Sequence, residues 1–116
     1  MQVTERRVGS AVILDLVGEL TYANRTSFKT AVERARQGGC RNLILNMENV
    51  RFLDSSALGM LALTSQSFKL HQGVVSLLKP QSYVREIIAL ANVHRLLAVY
   101  DSEQDAVTGR GLPLAC

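Results

Sequence analysis

The sequence has few residues that could build a metal or disulfide site. Its two cysteines, Cys40 and Cys116, are too few for a disulfide framework, and neither histidine, His71 or His94, has a partner at ligand spacing. We therefore expect no metal and no cofactor. No apolar run approaches the roughly 18 residues of a membrane-spanning helix, and the opening residues 1–8 lack the apolar core of a signal peptide. These absences predict a cytoplasmic protein without direct membrane insertion.

Positive charge is not concentrated in any part of the sequence. The chain has 13 Lys and Arg against 10 Asp and Glu, and the basic residues are spread from Arg6 to Arg110 without a basic run. Nucleic-acid binding needs clustered positive charge, so we expect no nucleic-acid partner. With 116 residues, 47% of them hydrophobic, the chain suits a single domain, which we place at 2–109. Residues 110–116 show no pattern and are predicted to form a flexible tail.

The hydrophobic pattern predicts a hairpin followed by helices and strands in alternation. The predicted elements are strands at 2–8 and 10–20, a helix at 23–37, a strand at 42–47, a helix from the serines at 55 and 56 to Gly73, a strand at 74–78, a helix from Pro80 to about Asn92, a strand at 95–100 and a short helix capped by Asp101. The run at 42–47 does not alternate, so we expect it to be the central strand. This order predicts an α/β fold, a mixed sheet of about five strands with about four helices.

The sequence NVRFLDSSALGML places an acid and two adjacent serines between a predicted strand and a predicted helix. One interpretation is that Asp54 or Ser55 merely caps the helix, as happens in most proteins. A nucleophilic serine would need a base within reach, but His71 is roughly 20 Å away along the helix, and no feature ties His94 to the site. A third interpretation is regulatory, because a phosphate at a helix N-terminus meets free N–H groups and the positive end of the helix dipole.

The helix that follows the serines is apolar on several sides. A helix on a sheet needs only one apolar stripe, but the apolar residues of 57–63 point in every direction. The residues that we assign to the core are Leu58, Leu61, Ala62 and Ser65. Met60 and Leu63 are then candidates for the exposed side, unless a neighbouring helix covers them. An exposed methionine beside a modifiable serine would suit a switchable protein-binding surface.

These residues resemble those of the anti-sigma factor antagonists built on the STAS domain. DSSALGML at 54–61 is similar to the family's Asp-Ser-Ser/Thr-Gly-Leu-Gly signature, and GEL at 18–20 to its Gly-Glu-Leu turn. The resemblance implies a bacterial, cytoplasmic regulator that is not itself an enzyme. Such proteins, when unphosphorylated, bind a serine kinase that is also an anti-sigma factor, which frees the sigma factor. Phosphorylation of the serine separates the complex, and a serine phosphatase resets it.

The resemblance also implies roles for individual residues. Ser55 would be the phosphoacceptor, flanked by Asp54 and Ser56. The predicted partner-binding residues are Thr21, Ala57, Leu58, Gly59, Met60 and Leu63. Ala57 stands where the family usually has Gly, and Thr21 stands where it commonly has Asp, which removes a carboxylate expected near the phosphosite. An alternative within the same resemblance is a STAS subunit of a lipid-transport complex, which docks on membrane-associated transporter components.

Overall fold

Five strands form one mixed sheet, and their order across the sheet is their order along the chain. The structure, a computed structural model, describes residues 1–108 apart from the side chain of His94. The strands are β1 (Gln2–Val8), β2 (Ala11–Leu20), β3 (Asn42–Leu53), β4 (Val74–Leu78) and β5 (Ala98–Tyr100). β1 and β2 form an antiparallel hairpin, whereas the other neighbouring strands are parallel. The predicted tail at 110–116, with Cys116, lies outside the described residues.

Helices cover both faces of this sheet. They are α1 (Arg25–Gln37), α2 (Ser55–Leu70), α3 (Ser82–Leu90) and α4 (Glu103–Thr108). On one face, alternate strand residues such as Leu14 and Leu45 form the main core with side chains from α1, α2 and α3. On the other face, Ile13 and Ile44 pack against Ala106 of α4. The predicted α/β fold is confirmed, with β3 as the central strand and apolar neighbours on both of its faces.

Two helices begin later than predicted, α3 at Ser82 and α4 at Glu103. Pro80 precedes α3 by two positions, and Gln81 is its N-cap residue. Asp101 does not cap α4; its carboxylate accepts from Arg85 at 2.7 Å, while Ser102 Oγ accepts from the backbone N–H of Asp105. The interaction of Asp101 with Arg85 connects segments 16 residues apart, which local spacing does not reveal.

Two strand boundaries differ as well. The last strand begins at Ala98 rather than residue 95, because Val93–Arg95 forms a 3-10 turn after Asn92, whose φ of 62° is left-handed. β3 runs on to Leu53, six residues beyond the predicted end at 47, because it stays paired with β2 through two register shifts. Because β3 is longer than predicted, Ser55 and Ser56 follow its carboxyl end after Asp54 alone, without an intervening loop.

The end of β2 is shaped by Gly18, whose φ of +114° favours glycine over any residue with a Cβ. Register shifts in this part of the β2–β3 pair place Leu20 opposite Leu53. The backbone N–H of Asp54 then donates to the carbonyl of Leu20 at 3.3 Å. The segment after β2 and the start of α2 therefore meet at the carboxyl ends of the parallel strands.

Candidate functional site

Asp54 is the residue on which the site at the start of α2 is built. Its backbone is extended, and its Oδ1 accepts from the backbone N–H of Ala57 at 3.0 Å, so the carboxylate caps the helix. Oδ2 accepts from the backbone N–H of Tyr22 at 3.1 Å. One carboxylate thus joins the segment after β2 to the first turn of α2. The N–H groups of Tyr22 and Ala57 stabilise the anion and lower the pKa of Asp54 below its ordinary value.

Ser55 is the first residue of α2 and is exposed to solvent. Within residues 1–108, no group forms a hydrogen bond with its hydroxyl, whereas Ser56 beside it is partly buried. A phosphate on Ser55 would lie at the positive end of the helix dipole, but next to the ionised Asp54. The hydroxyl is accessible for modification, and the free protein has room for the product.

The exposed side of α2 continues from Ser55 in a line. Gly59 and Leu63 follow at intervals of four residues, which places all three on one side of the helix. Leu63 is 65% exposed, a large value for an apolar side chain. We call Ser55, Gly59 and Leu63 the α2 stripe. The prediction that Leu63 is exposed is confirmed.

Met60, the other candidate for the exposed side, is buried, because its side chain is only 8% exposed. Ala57, a predicted partner-binding residue, is fully buried and has no surface to offer a partner. The reason is that α2 packs against α1 and the segment after α3 as well as against the sheet, and Ser65 Oγ donates to the carbonyl of Leu96 at 2.7 Å. For Met60, the alternative given with the sequence prediction is therefore the correct one: neighbouring elements cover its side chain. Residues assigned to the core are buried (Leu61, Ser65) or partly buried (Leu58, Ala62).

No steric contact within the free molecule requires glycine at position 59. A Cβ built at this position would meet nothing within 4 Å. Glycine inside a helix costs about 0.8–1 kcal/mol relative to alanine. Gly59 is therefore an exposed helix position at which the free molecule itself does not require glycine.

The segment at 21–25, which the hydrogen bond from Tyr22 to Asp54 joins to the start of α2, adds an aromatic residue and a cation that sequence reasoning missed. The guanidinium of Arg25 lies 3.7 Å from the ring centroid of Tyr22, and its Nη1 donates to the Tyr22 carbonyl at 2.8 Å. Tyr22 is 58% exposed. Thr21 is partly buried, and its hydroxyl accepts from Asn24 Nδ2 at 3.3 Å. The sequence signal that could have predicted this pair is an aromatic residue followed three positions later by an arginine, directly after GEL and Thr21.

Of the two histidines considered as bases for a nucleophilic serine, the structure describes the side chain of His71 only. His71 lies at the opposite end of α2, where its Nδ1 donates to the carbonyl of Ser67 at 2.8 Å. At about 1.5 Å per residue, the 16 residues of α2 separate it from Ser55 by roughly 24 Å. Among residues 1–108, no three His, Cys, Asp or Glu side chains are grouped as metal ligands. No helix in the same range is long and apolar enough to cross a membrane.

Known proteins are similar to this chain in sequence and in fold. The anti-sigma F factor antagonist of Paenibacillus polymyxa is 22% identical over 109 residues, which cover 93% of each chain. A candidate anti-sigma factor antagonist from Thermotoga maritima has a crystal structure that is 26% identical, with a TM-score of 0.86 and 93% of each chain covered. Bacillus SpoIIAA in its phosphorylated form is 22% identical with a TM-score of 0.71, over 92% of this chain and 97% of that chain, which shows the shared fold.

A family model, that of the STAS domain, matches residues 2–106. The match includes all five strands and both sides of the site, from the GEL residues at 18–20, which end β2 rather than form a turn, to the α2 stripe. The chain therefore belongs to the STAS domain family.

Proposed function

We propose that this protein is an anti-sigma factor antagonist whose binding is switched by phosphorylation of Ser55. In its unphosphorylated form it binds an anti-sigma factor with serine kinase activity in the bacterial cytoplasm, and so releases the sigma factor. The kinase phosphorylates Ser55 and the complex separates, until a serine phosphatase removes the phosphate. The observation that carries the proposal is the exposed Ser55 at the start of α2, in line with the exposed Gly59 and Leu63. The nucleotide belongs to the kinase, so this chain contributes no catalytic residue.

The names of the relatives support this direction. The Paenibacillus polymyxa relative is an anti-sigma F factor antagonist, and the Thermotoga maritima structure is that of a candidate anti-sigma factor antagonist. SpoIIAA, which has the same fold, exists in an unphosphorylated and a phosphorylated structure. We expect Ser55 to be the position that carries the phosphate here, because it is the exposed serine of the DSS sequence.

Electrostatics explains why a phosphate would leave the fold intact and separate a complex. Phosphorylation adds a charge of about −1.5 to −2 and three acceptor oxygens. In the free protein, water and the helix N-terminus solvate this charge. Under a partner, the phosphate would be desolvated next to the Asp54 carboxylate and on the same side of α2 as the apolar Leu63. We expect a loss of several kcal/mol, enough to separate a micromolar complex.

Gly59 supports a partner that approaches α2 closely. Its missing side chain lets another backbone or a flat side chain rest on the helix between Ser55 and Leu63. Met60 and Ala57 act indirectly in this proposal, because they hold α2 in place from the buried side. The predicted partner-binding set is therefore reduced to Gly59, Leu63 and the partly buried Leu58 and Thr21, with Tyr22 and Arg25 added.

The test compares wild type with Ser55→Ala and Ser55→Asp as baits, followed by purification of any captured ATP-binding kinase. We expect the kinase to bind Ser55→Ala and not Ser55→Asp, and to transfer phosphate from ATP to Ser55 of wild type, as read by mass spectrometry. Ser82→Asp is the matched control, because Ser82 is likewise an exposed serine at the first position of a helix, α3, and receives the same charge.

Equal kinase capture by Ser55→Ala and Ser55→Asp would contradict the switch. Equal loss of capture in Ser55→Asp and Ser82→Asp would show that a negative charge at either helix start is harmful, which also contradicts a specific role of Ser55. Capture of transporter subunits by both Ser55 variants, without phosphate on wild type, would support the alternative, a subunit of a lipid-transport complex.

A further inference from the structure

A groove of about 330 Å³ lies at the end of the sheet opposite Ser55. It is lined by residues from the turn that follows α1 and from the turn that follows α2, including Arg36, Arg41, Leu70 and His71. The length of α2 puts the groove roughly 24 Å from Ser55. It is thus a separate feature from the α2 stripe.

The two turns that form the groove are held together by backbone contacts. The N–H of Val74 donates to the carbonyl of Arg41 at 2.7 Å. A Cβ at Gly73 would lie 2.8 Å from that same carbonyl, so only glycine allows the two backbones to approach this closely. Gln72 is in the left-handed region with a φ of 62°, which reverses the chain at the end of α2. These contacts hold the two turns that line the groove next to each other.

The charged groups of the groove are cationic. The guanidinium of Arg36 is oriented by Glu33, with Nη2 to carboxylate distances of 2.7 and 2.8 Å, and by Ser67 Oγ at 3.3 Å. Arg41 is exposed and forms no ion pair with any residue in 1–108. The Nδ1 of His71 donates to a backbone carbonyl, which leaves Nε2 for another partner.

No carboxylate lines the groove within the described residues, although Glu33 lies beside it and partly offsets the charge of Arg36. Arg41 is thus the group whose charge is uncompensated. The C-terminus of α2 is the negative end of its dipole and repels anions, so any anion bound here must be held by side-chain cations. Leu70, which is 83% exposed, offers an apolar contact next to them.

We propose that this groove binds a small ligand with a phosphate group, held principally by the guanidinium of Arg41. A guanidinium presents paired N–H donors that match two oxygens of a phosphate, and Arg36, held by Glu33 and Ser67, also lines the groove. The groove is open to solvent, and its volume of about 330 Å³ leaves room for a phosphate and a short apolar portion against Leu70. The ligand is either a soluble phosphate compound or the headgroup of a phospholipid.

The first experiment titrates pyrophosphate into the full-length protein at low salt and follows backbone amide signals by NMR. We expect saturable shifts confined to the groove, near 36–41 and 70–73, and at least about tenfold weaker binding in Arg41→Ala. Arg51→Ala is the matched control, because Arg51 is another exposed arginine without an ion pair within residues 1–108, placed near the end of β3. Each variant is checked by thermal melting, and Arg41→Lys tests whether the charge alone is sufficient.

The second experiment asks for the source of the phosphate by sedimentation with vesicles of phosphatidylcholine, with and without phosphatidic acid. Binding that needs phosphatidic acid and is lost in Arg41→Ala would assign the groove to a lipid headgroup. Pyrophosphate binding without vesicle binding would assign it to a soluble ligand. The proposal is overturned if neither probe binds wild type, or if Arg51→Ala loses as much pyrophosphate binding as Arg41→Ala. Both results are independent of whether Ser55 is phosphorylated.

Discussion

The two ends of α2 are built from different kinds of interaction and expose different chemistry. At its start, the carboxylate of Asp54 accepts from backbone N–H groups of two segments, and Ser55 is left exposed. At its end, two turns meet backbone to backbone through Gly73, and the exposed groups are the side chains of Arg41 and His71.

The direction of one helix explains this difference. The N-terminus has unpaired N–H groups and positive potential, so it tolerates a covalently attached anion such as a phosphate on Ser55. The C-terminus has the opposite potential, so an anion there needs arginine side chains. The proposed phosphorylation site and the proposed ligand groove therefore lie at opposite ends of one helix, with roughly 24 Å between them.

The largest expected effect is a loss of stability from a substitution on the buried side of α2, which runs along the whole helix. Met60→Asp buries a charge among apolar groups and should lower the free energy of unfolding by about 3 kcal/mol or more. Leu63→Asp, on the exposed side, should change it by less than about 0.5 kcal/mol while it abolishes kinase capture. Urea unfolding measures both values. Similar stability losses in the two variants would mean that α2 has no such division into a buried and an exposed side.

The next largest effect is expected from a glycine substitution that changes only the C-terminal end of α2. Gly73→Ala forces the Cβ against the Arg41 carbonyl and should cost about 1–3 kcal/mol of stability. Because the walls of the groove move apart, pyrophosphate binding should weaken as well, whereas kinase capture at the other end should persist. A variant as stable as wild type would show that the close contact at Gly73 is not needed.

A smaller effect of opposite sign is expected for Gly59→Ala. This position has open space around it, so alanine should stabilise the helix by up to about 1 kcal/mol. If a partner approaches α2 closely here, the added methyl group should nevertheless weaken kinase binding. The thermal melt and the binding assay are therefore expected to change in opposite directions. A more stable variant with undiminished binding would remove Gly59 from the contact surface.

The smallest effect is the pH dependence at the start of α2. Since hydrogen bonds lower the pKa of Asp54 in the folded state, its carboxylate contributes stability above the unfolded pKa, near 3.8. That contribution is lost as the pH falls through the folded pKa. The difference in urea midpoint between wild type and Asp54→Asn should therefore be largest near pH 7 and shrink below about pH 4. A constant difference across this range would mean that the charge of Asp54 does not support the cap.

Much of the fold followed from local patterns in the sequence. The apolar run at 42–47 was placed correctly in the central strand, and the strand at 74–78 has the predicted bounds. The exposure of Ser55 also followed from its position at the start of the helix, whereas the exposure of Leu63 was left open. These features depend on residues within one element, where side-chain period and capping residues carry the information.

Other features depend on which segments meet in space, and only the tertiary structure decided them. Met60 is buried because neighbouring helices cover it. The hydrogen bond between Tyr22 and Asp54 and the close contact of Gly73 with Arg41 each join residues about 30 positions apart in the sequence. Periodicity tells which side of a helix is apolar, but it does not tell how many neighbours cover that side. The sequence by itself thus determined the elements, their order and the exposed serine. The packing of α2 between its neighbours determined which of its residues a partner can reach, because burial is a property of the assembled layers rather than of one helix.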